Sequence, residues 1–342
     1  MRISVDAMGG DDAPREIVAG ALLAAHQING LERLYLVGDQ SAIEAELEGS
    51  SEPVPACIEI VHTTEVVGMG EAPATAIRRK KDSSIARAIS LVKEGDADAI
   101  FSAGNTGAAV AASTLMLRTL KGVSRPAIAA VIPTSKNPYV LLDAGANPDS
   151  TPEMLQQFAV MGSIYSREIL GVSSPRVGLL SIGEEAAKGN ETTKKGFGLL
   201  EKARLKFVGN VESRDLFSGK IDVAVCDGFV GNVVLKTTES VASMISTWLK
   251  ELFRKSPIRI LGYLLSRGVF REVRRKMDPS CHGGAPLLGA NGVVIIGHGS
   301  SNREAAYNGV RVACEAVSHD VNHLIEDALH EINRVTEPGD GE

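Results

Sequence analysis

Eight short apolar runs punctuate the chain, and six of them end in loops of glycine, aspartate and asparagine. The runs are Ile3–Val5, Leu34–Val37, Ala99–Phe101, Ala127–Ile132, Val140–Leu142, Val177–Ile182, Val223–Cys226 and Val293–Ile296. Helical patterns stand between them at Pro14–His26, Ser83–Lys93, Thr151–Leu170 and Asn302–Leu329. Runs this short, alternating with helices, predict an α/β fold: a mostly parallel sheet with helices on both faces. Thr151 followed by Pro152 has the form of an N-cap and first helical residue.

With 342 residues, 44% of them hydrophobic, the chain can bury a large core as one α/β unit or as about two domains. No repeat or low-complexity tract divides it, so a single α/β domain over 1–342 is expected. The 23% charged residues complete a balance that excludes disordered, collagen-like and coiled-coil classes. A net charge of −6 argues against a nucleic-acid partner. Cys57, Cys226, Cys281 and Cys314 form no C-x-x-C pair, which predicts reduced thiols and no metal centre. The start MRISVDAMGG lacks a signal peptide's apolar stretch, and no run approaches the roughly 18 apolar residues of a spanning helix. A cytoplasmic protein is expected.

One segment departs from the rest. Arg254–Lys276 holds eight Arg or Lys and one acidic residue, with Ile258, Leu261, Leu264 and Leu265 at helical spacing. It predicts a protruding helical arm over roughly 238–280. Arg259, Arg267, Arg271, Arg274, Arg275 and Lys276 provide charge, and Leu261, Tyr263, Leu264 and Leu265 provide an apolar tip. Packing in a dimer, docking of an acidic protein and contact with an anionic membrane are three mutually compatible readings.

The six loops read VDAMGGDDAP, FSAGNTGAA, LLDAGANPD, LSIGEEAAKGNE, VCDGFVGN and IIGHGSSN. In an open α/β sheet the ligand crevice lies outside the carboxyl ends of the strands. Glycine admits close backbone approach, and a following helix N-terminus favours an anion. Phosphate is the natural ligand. Candidate contacts are Asp6, Gly9, Gly10, Asp11, Gly104, Asn105, Thr106, Asp143, Asn147, Asn190, Asp227, Gly228 and Ser300. Asn105, Asn190 and Asn232 could each instead close a turn through its own side chain. Lys188, among Glu184, Glu185 and Glu191, is a phosphate or oxyanion contact or a solvated lysine. His298, between Gly297 and Gly299, is a donor in the site or a histidine satisfied by backbone. No GxxxxGK[ST] or GxSxG occurs, and the GFG at Gly196–Gly198 lies in a helical pattern, so nucleotide and acyl-serine chemistry lose their usual support. Cys281 with His282 reads as structural.

These motifs resemble, over nearly the whole chain and in order, the phosphate acyltransferase family of bacterial phospholipid synthesis. ISVDAMGGDDAP, SAGNTGA, LLDAGANPD, GLLSIGEEAAKGNE, CDGFVGNVVLK, HGGAPLLG and GHGSSN carry the resemblance. It implies a three-layer α/β/α fold like that of isocitrate dehydrogenase and phosphate acetyltransferase, a homodimer, and peripheral association with the membrane. It also implies the reaction, in which a long-chain acyl group passes from acyl carrier protein to inorganic phosphate, with no cofactor and no metal.

Phosphate is a competent nucleophile near neutral pH, so orientation and charge stabilisation are what the protein must supply. Lys188 is the expected charge stabiliser, Asn232 and His298 the donors, and the glycines of GGDD and SAGNTG the cradle. A short-chain transferase acting on a coenzyme A thioester is the nearest alternative, and needs no basic arm. A catalytically silent membrane-surface scaffold is the other.

Overall fold

Each of the eight apolar runs falls on a strand, and three further strands complete the sheet. The computed structural model describes residues 1–277 and 283–336, with side chains over 1–273 and 283–332. Among them, eleven strands form one sheet: β1 (Arg2–Asp6), β2 (Arg33–Gly38), β3 (Ile58–His62), β4 (Ala99–Ser102), β5 (Ala127–Ile132), β6 (Tyr139–Leu142), β7 (Arg176–Leu180), β8 (Lys206–Val211), β9 (Val223–Val225), β10 (Ala285–Leu288) and β11 (Val293–Ile296). Their order is β3-β2-β1-β4-β11-β10-β5-β6-β9-β7-β8. Neighbours are parallel except at β11–β10, β10–β5 and β5–β6. Those three reversals leave β1 to β5 and β11 running one way, and β6 to β10 the other.

The helices are α1 (Arg15–Gln27), α2 (Gln40–Glu48), α3 (Pro73–Arg79), α4 (Ser84–Glu94), α5 (Thr106–Ala112), α6 (Pro152–Glu168), α7 (Glu191–Lys202), α8 (Gly228–Arg254), α9 (Pro257–Leu265), α10 (Arg267–Met277), α11 (Arg303–Ser318) and α12 (Val321–Thr336). Side chains alternate across the sheet. Leu34 and Leu36 join a core with α1, α2 and α11, whereas Tyr35 and Val37 join one with α3, α4 and α5. Past the reversal, Val140 and Leu142 pack under α6, α7 and α12. Both faces are therefore dry, which is why these strands read as unbroken apolar runs. Each buried aliphatic side chain contributes roughly 1.5–3 kcal/mol.

Thr151 caps α6, its side chain accepting from the Met154 amide at 3.3 Å. The GFG motif lies inside α7. The pattern Asn302–Leu329 is two helices, because the chain turns at Asp320, whose φ of 50° is left-handed; aspartate tolerates that region better than most residues. Strands β3, β8 and β10 were not among the expected runs. The first two are sheet edges with partly exposed alternation, and β10 contains Pro286.

The arm begins with α8, 27 residues long, of which only Gly228 and Gly231 are buried. At 1.5 Å per residue it spans about 40 Å. Phe253, Tyr263 and Phe270 close the α8–α10 hairpin, their ring centroids 5.1–5.4 Å apart. Tyr263 thus braces the arm from within while staying partly exposed beside Leu261, Leu264 and Leu265. Ile258 and Leu265 are 83% and 81% exposed. Arg259 donates to the Leu252 carbonyl at the end of α8, and Arg267 and Arg271 are exposed. The side chains of Arg274, Arg275 and Lys276, and all of Cys281 and His282, lie outside the described residues. No described helix is long and apolar enough to cross a membrane.

Candidate active site

Strand polarity sorts the six glycine-bearing loops into two groups of three. Those following β1, β4 and β11 leave one edge of the sheet; those following β6, β7 and β9 leave the other. The first group meets. The Asp11 amide donates to the Gly299 carbonyl at 2.7 Å. Gly9 lies against Gly104 so closely that an added Cβ would come 2.7 Å from the Gly104 nitrogen. Gly10 has φ +122°, a conformation that glycine adopts freely. Each loop runs into a helix, α1, α5 or α11, and the partial positive charge of these helix starts favours an anion nearby.

A fourth loop joins them. It follows β3, whose carboxyl end lies at the same edge, and the sequence reading missed it because the edge strand before it was not recognised. Its segment 66–71 is strapped over the mouth. Asn105 Nδ2 donates to the carbonyls of Met69 at 2.9 Å and of Gly68 and Glu71 at 3.3 Å, while its Oδ1 caps α5 through the Ala108 amide. Asn105 therefore holds the strap and the helix and has little capacity left for a ligand. Lys80 Nζ bonds both Glu71 and the Val66 carbonyl, and its hydrogen bond holds the Glu71 carboxyl below the ordinary range. Met69 rests over Gly299, where an added Cβ would meet its Cε at 2.8 Å.

His298 stands exposed at this mouth. Its Nδ1 accepts from the Ser300 amide at 3.3 Å and lies 2.8 Å from Ser300 Oγ. An accepting Nδ1 puts the neutral ring's proton on Nε2, which becomes the donor offered to solvent or substrate. Thr106, exposed, opens α5 in the same loop group. Asp11 is exposed, and Asp12 pairs with Arg15 at 3.7 Å.

The comparisons with known proteins bear on this arrangement. The fatty acid synthesis protein family matches residues 1–324. A phosphate acyltransferase of Pelotomaculum thermopropionicum is 50% identical over 341 residues, 100% of this chain and 98% of that one. Another, of Desulfitobacterium hafniense, is 52% identical over 337 residues, 98% and 99% of the two chains. The chain belongs to this family of acyltransferases. Among solved structures, a phosphotransacetylase from Streptococcus pyogenes superposes with a TM-score of 0.59 at 18% identity over 94% of each chain. A branched-chain phosphotransacylase from Enterococcus faecalis gives 0.57 at 16% identity, covering 93% and 99%. These likenesses establish the fold, a mixed but mostly parallel α/β sheet between helical layers.

In this acyltransferase the second loop group is bound up mostly with itself. Asp143 is fully buried, and its carboxyl accepts from the amides of Ile128, Gly145, Ala146 and Asn147 and from Asn147 Nδ2, all within 3.1 Å. Burial pushes its pKa up, and the five donors oppose that. Asn147 also bonds the Pro126 carbonyl and receives the Gly228 amide. Asp227 caps α8 through the Val230 amide, and Asn190 caps α7 through Thr193. The Asn190 side chain is thus taken up by the protein's own backbone, as are those of Asp143, Asn147 and Asp227. Lys188 and Asn232 remain exposed at this edge. Lys188 packs along Gly183, and Asn232 lies over Gly145. Six loops do not share one crevice: the reversal between β5 and β6 separates Lys188 and Asn232 from the loop that bears His298.

Proposed function

We propose that this acyltransferase moves a long-chain acyl group from the thioester of acyl carrier protein to inorganic phosphate, giving an acyl phosphate for phospholipid synthesis. The observation that carries this reading is the meeting of GGDD, SAGNTG and GHGSSN at three helix starts, a crevice suited to a small tetrahedral anion. A phosphate oxygen attacks the thioester carbonyl, the C–O bond forms, and the tetrahedral oxyanion collapses with the pair leaving on sulfur. The free thiol of the carrier and the mixed anhydride are the products. Such a step needs no enzyme nucleophile. It needs alignment of two reactants and a donor aimed at the oxyanion, a role that the exposed His298 Nε2–H would fill.

The arm supports the finer parts of the proposal. Its exposed Arg267 and Arg271 suit an acidic carrier, and Ile258, Leu261, Leu264 and Leu265 suit an anionic membrane surface. Met244, Ile245, Trp248 and Leu252 along α8 are exposed, a large apolar stretch that a second copy would cover in a homodimer. The deciding assay mixes the protein with phosphate and palmitoyl-loaded carrier, or with palmitoyl coenzyme A, and follows acyl phosphate. Turnover with the carrier thioester well above that with coenzyme A is expected. Preference for coenzyme A would replace the donor assignment, and no turnover with either would favour a silent scaffold.

A further inference from the structure

Asp6 ends β1 directly beneath the crevice, yet it faces the protein and not the mouth. It is 2% exposed. Its Oδ2 accepts from Ser102 Oγ at 2.7 Å, and Ser102 Oγ in turn accepts from the Gly104 amide at 3.2 Å. The Asp6 carbonyl accepts from the Gly9 amide at 3.2 Å. A Cβ added to Gly9 would come 2.7 Å from Asp6 Oδ2, and one added to Gly104 would come 3.3 Å from it. One side chain thus touches both glycine loops where they cross. Its second oxygen, Oδ1, is enclosed without a hydrogen-bond partner among the described residues.

We propose that Asp6 is a positioning residue: through Ser102 and the Gly9–Gly104 crossing it fixes the spacing of the two loops that form the phosphate cradle, without touching substrate. This role rests on the reading of the crevice as a phosphate site. The chain Gly104 N–H to Ser102 Oγ–H to Asp6 Oδ2 runs from one loop to the root of the other, so it sets a distance and carries no charge to the ligand. No described cation pairs with the carboxyl. An ionised carboxylate with one oxygen buried and unbonded carries a large desolvation cost, which favours the neutral acid. Burial accordingly pushes the group's pKa up, against the hydrogen bond from the Ser102 hydroxyl. Asparagine, neutral and of the same shape, should therefore replace it, and alanine should not.

The test measures KM for inorganic phosphate, KM for the acyl donor, kcat, and the thermal shift that inorganic phosphate induces, in the full-length protein. Wild type should be stabilised by phosphate. Asp6→Ala should raise the phosphate KM at least tenfold with the donor KM within about twofold, while Asp6→Asn should stay within about threefold of wild type. Ser102→Ala, a smaller perturbation, should raise the phosphate KM about threefold and keeps the idea testable if Asp6→Ala fails to fold. The pH profile of kcat/KM should be the same in Asp6→Asn as in wild type. A wild type that phosphate does not stabilise would overturn the cradle reading itself. With wild-type stabilisation in hand, an unchanged phosphate KM in Asp6→Ala or Ser102→Ala overturns the positioning role alone. An Asp6→Asn protein as impaired as Asp6→Ala, or with a shifted pH profile, overturns it as well.

Discussion

Gly9 and Gly104 touch backbone to backbone at the centre of the cradle, with no space between them for a methyl group. Gly9→Ala must therefore push the two loops apart. We expect at least about a tenfold loss of kcat/KM for phosphate, roughly 1.4 kcal/mol of transition-state stabilisation. Overpacking should also lower stability by about 1–3 kcal/mol. Steady-state kinetics beside thermal unfolding checks both, and an Ala variant with wild-type phosphate kinetics would mean the crossing is not part of the site.

Lys188 tests the other edge. Lys188→Ala is expected to lower turnover at least about tenfold in a protein that folds normally, since the side chain is exposed and packs only along Gly183 at the surface. A wild-type rate in the folded variant would leave the edge that bears His298 as the sole centre of the reaction.

The arm's apolar tip gives a third expectation. Leu261 and Leu265 are exposed at helical spacing, so Leu261→Glu with Leu265→Glu should not disturb the core. The double variant should lose binding to anionic vesicles, each leucine having contributed up to about 1.5–3 kcal/mol before ordering costs. Activity on soluble substrates should persist. Vesicle co-sedimentation with sizing chromatography decides it: aggregation or a changed oligomeric state would show that the tip packs against protein.

Reversing Arg267 and Arg271 to Glu should weaken capture of the acidic carrier, chiefly through the association rate, and the wild-type rate should itself fall with salt. The variant's KM for the carrier thioester, measured at low ionic strength, is the readout. An unchanged value would place docking elsewhere.

Acid stability should depend on Asp222. Burial alone would raise its pKa, but the forked bonds from Arg176, 2.8 and 2.9 Å long, outweigh that and hold it below the ordinary carboxylate range. A lowered folded value means the contribution is complete above the unfolded value of about 3.9 and is lost as pH falls through the folded one. Asp222→Asn should thus be less stable at pH 7 by about 2–4 kcal/mol, discounted for the partly exposed Arg176. Its stability should also fall less steeply below about pH 4. Parallel pH profiles of unfolding for the two proteins would contradict this.

Most of the strand set was legible because runs such as Leu34–Val37 are buried on both faces and leave no polar alternation to confuse them. The edge strand Ile58–His62 lacked that signature, and with it went the loop that straps the mouth. The opposite polarity of the two halves was readable in principle. Only six residues, 133–138, join β5 to β6, and a parallel crossover needs about a dozen or more. The convergence of Asp143 and Asn147 on each other, and of Asn105 on three carbonyls, was not readable, since no spacing rule says which polar side chains the protein's own backbone will consume.

The N-terminal half of the sheet is not made by the N-terminal half of the chain. β11 slots beside β4, the Arg303 amide bonds Glu16, and Gly20 of α1 lies against Ala306 of α11. A ribosome that has released the first 280 residues has therefore delivered β1 to β4 with one flank open and α1 without its neighbour. The cradle loses an entire wall, since GHGSSN is among the segments still to come. Nonsense or frameshift lesions anywhere upstream of residue 303 should then yield products that neither seal nor bind, however much of the coding length they retain, and proteolysis should clear them as unfolded chains.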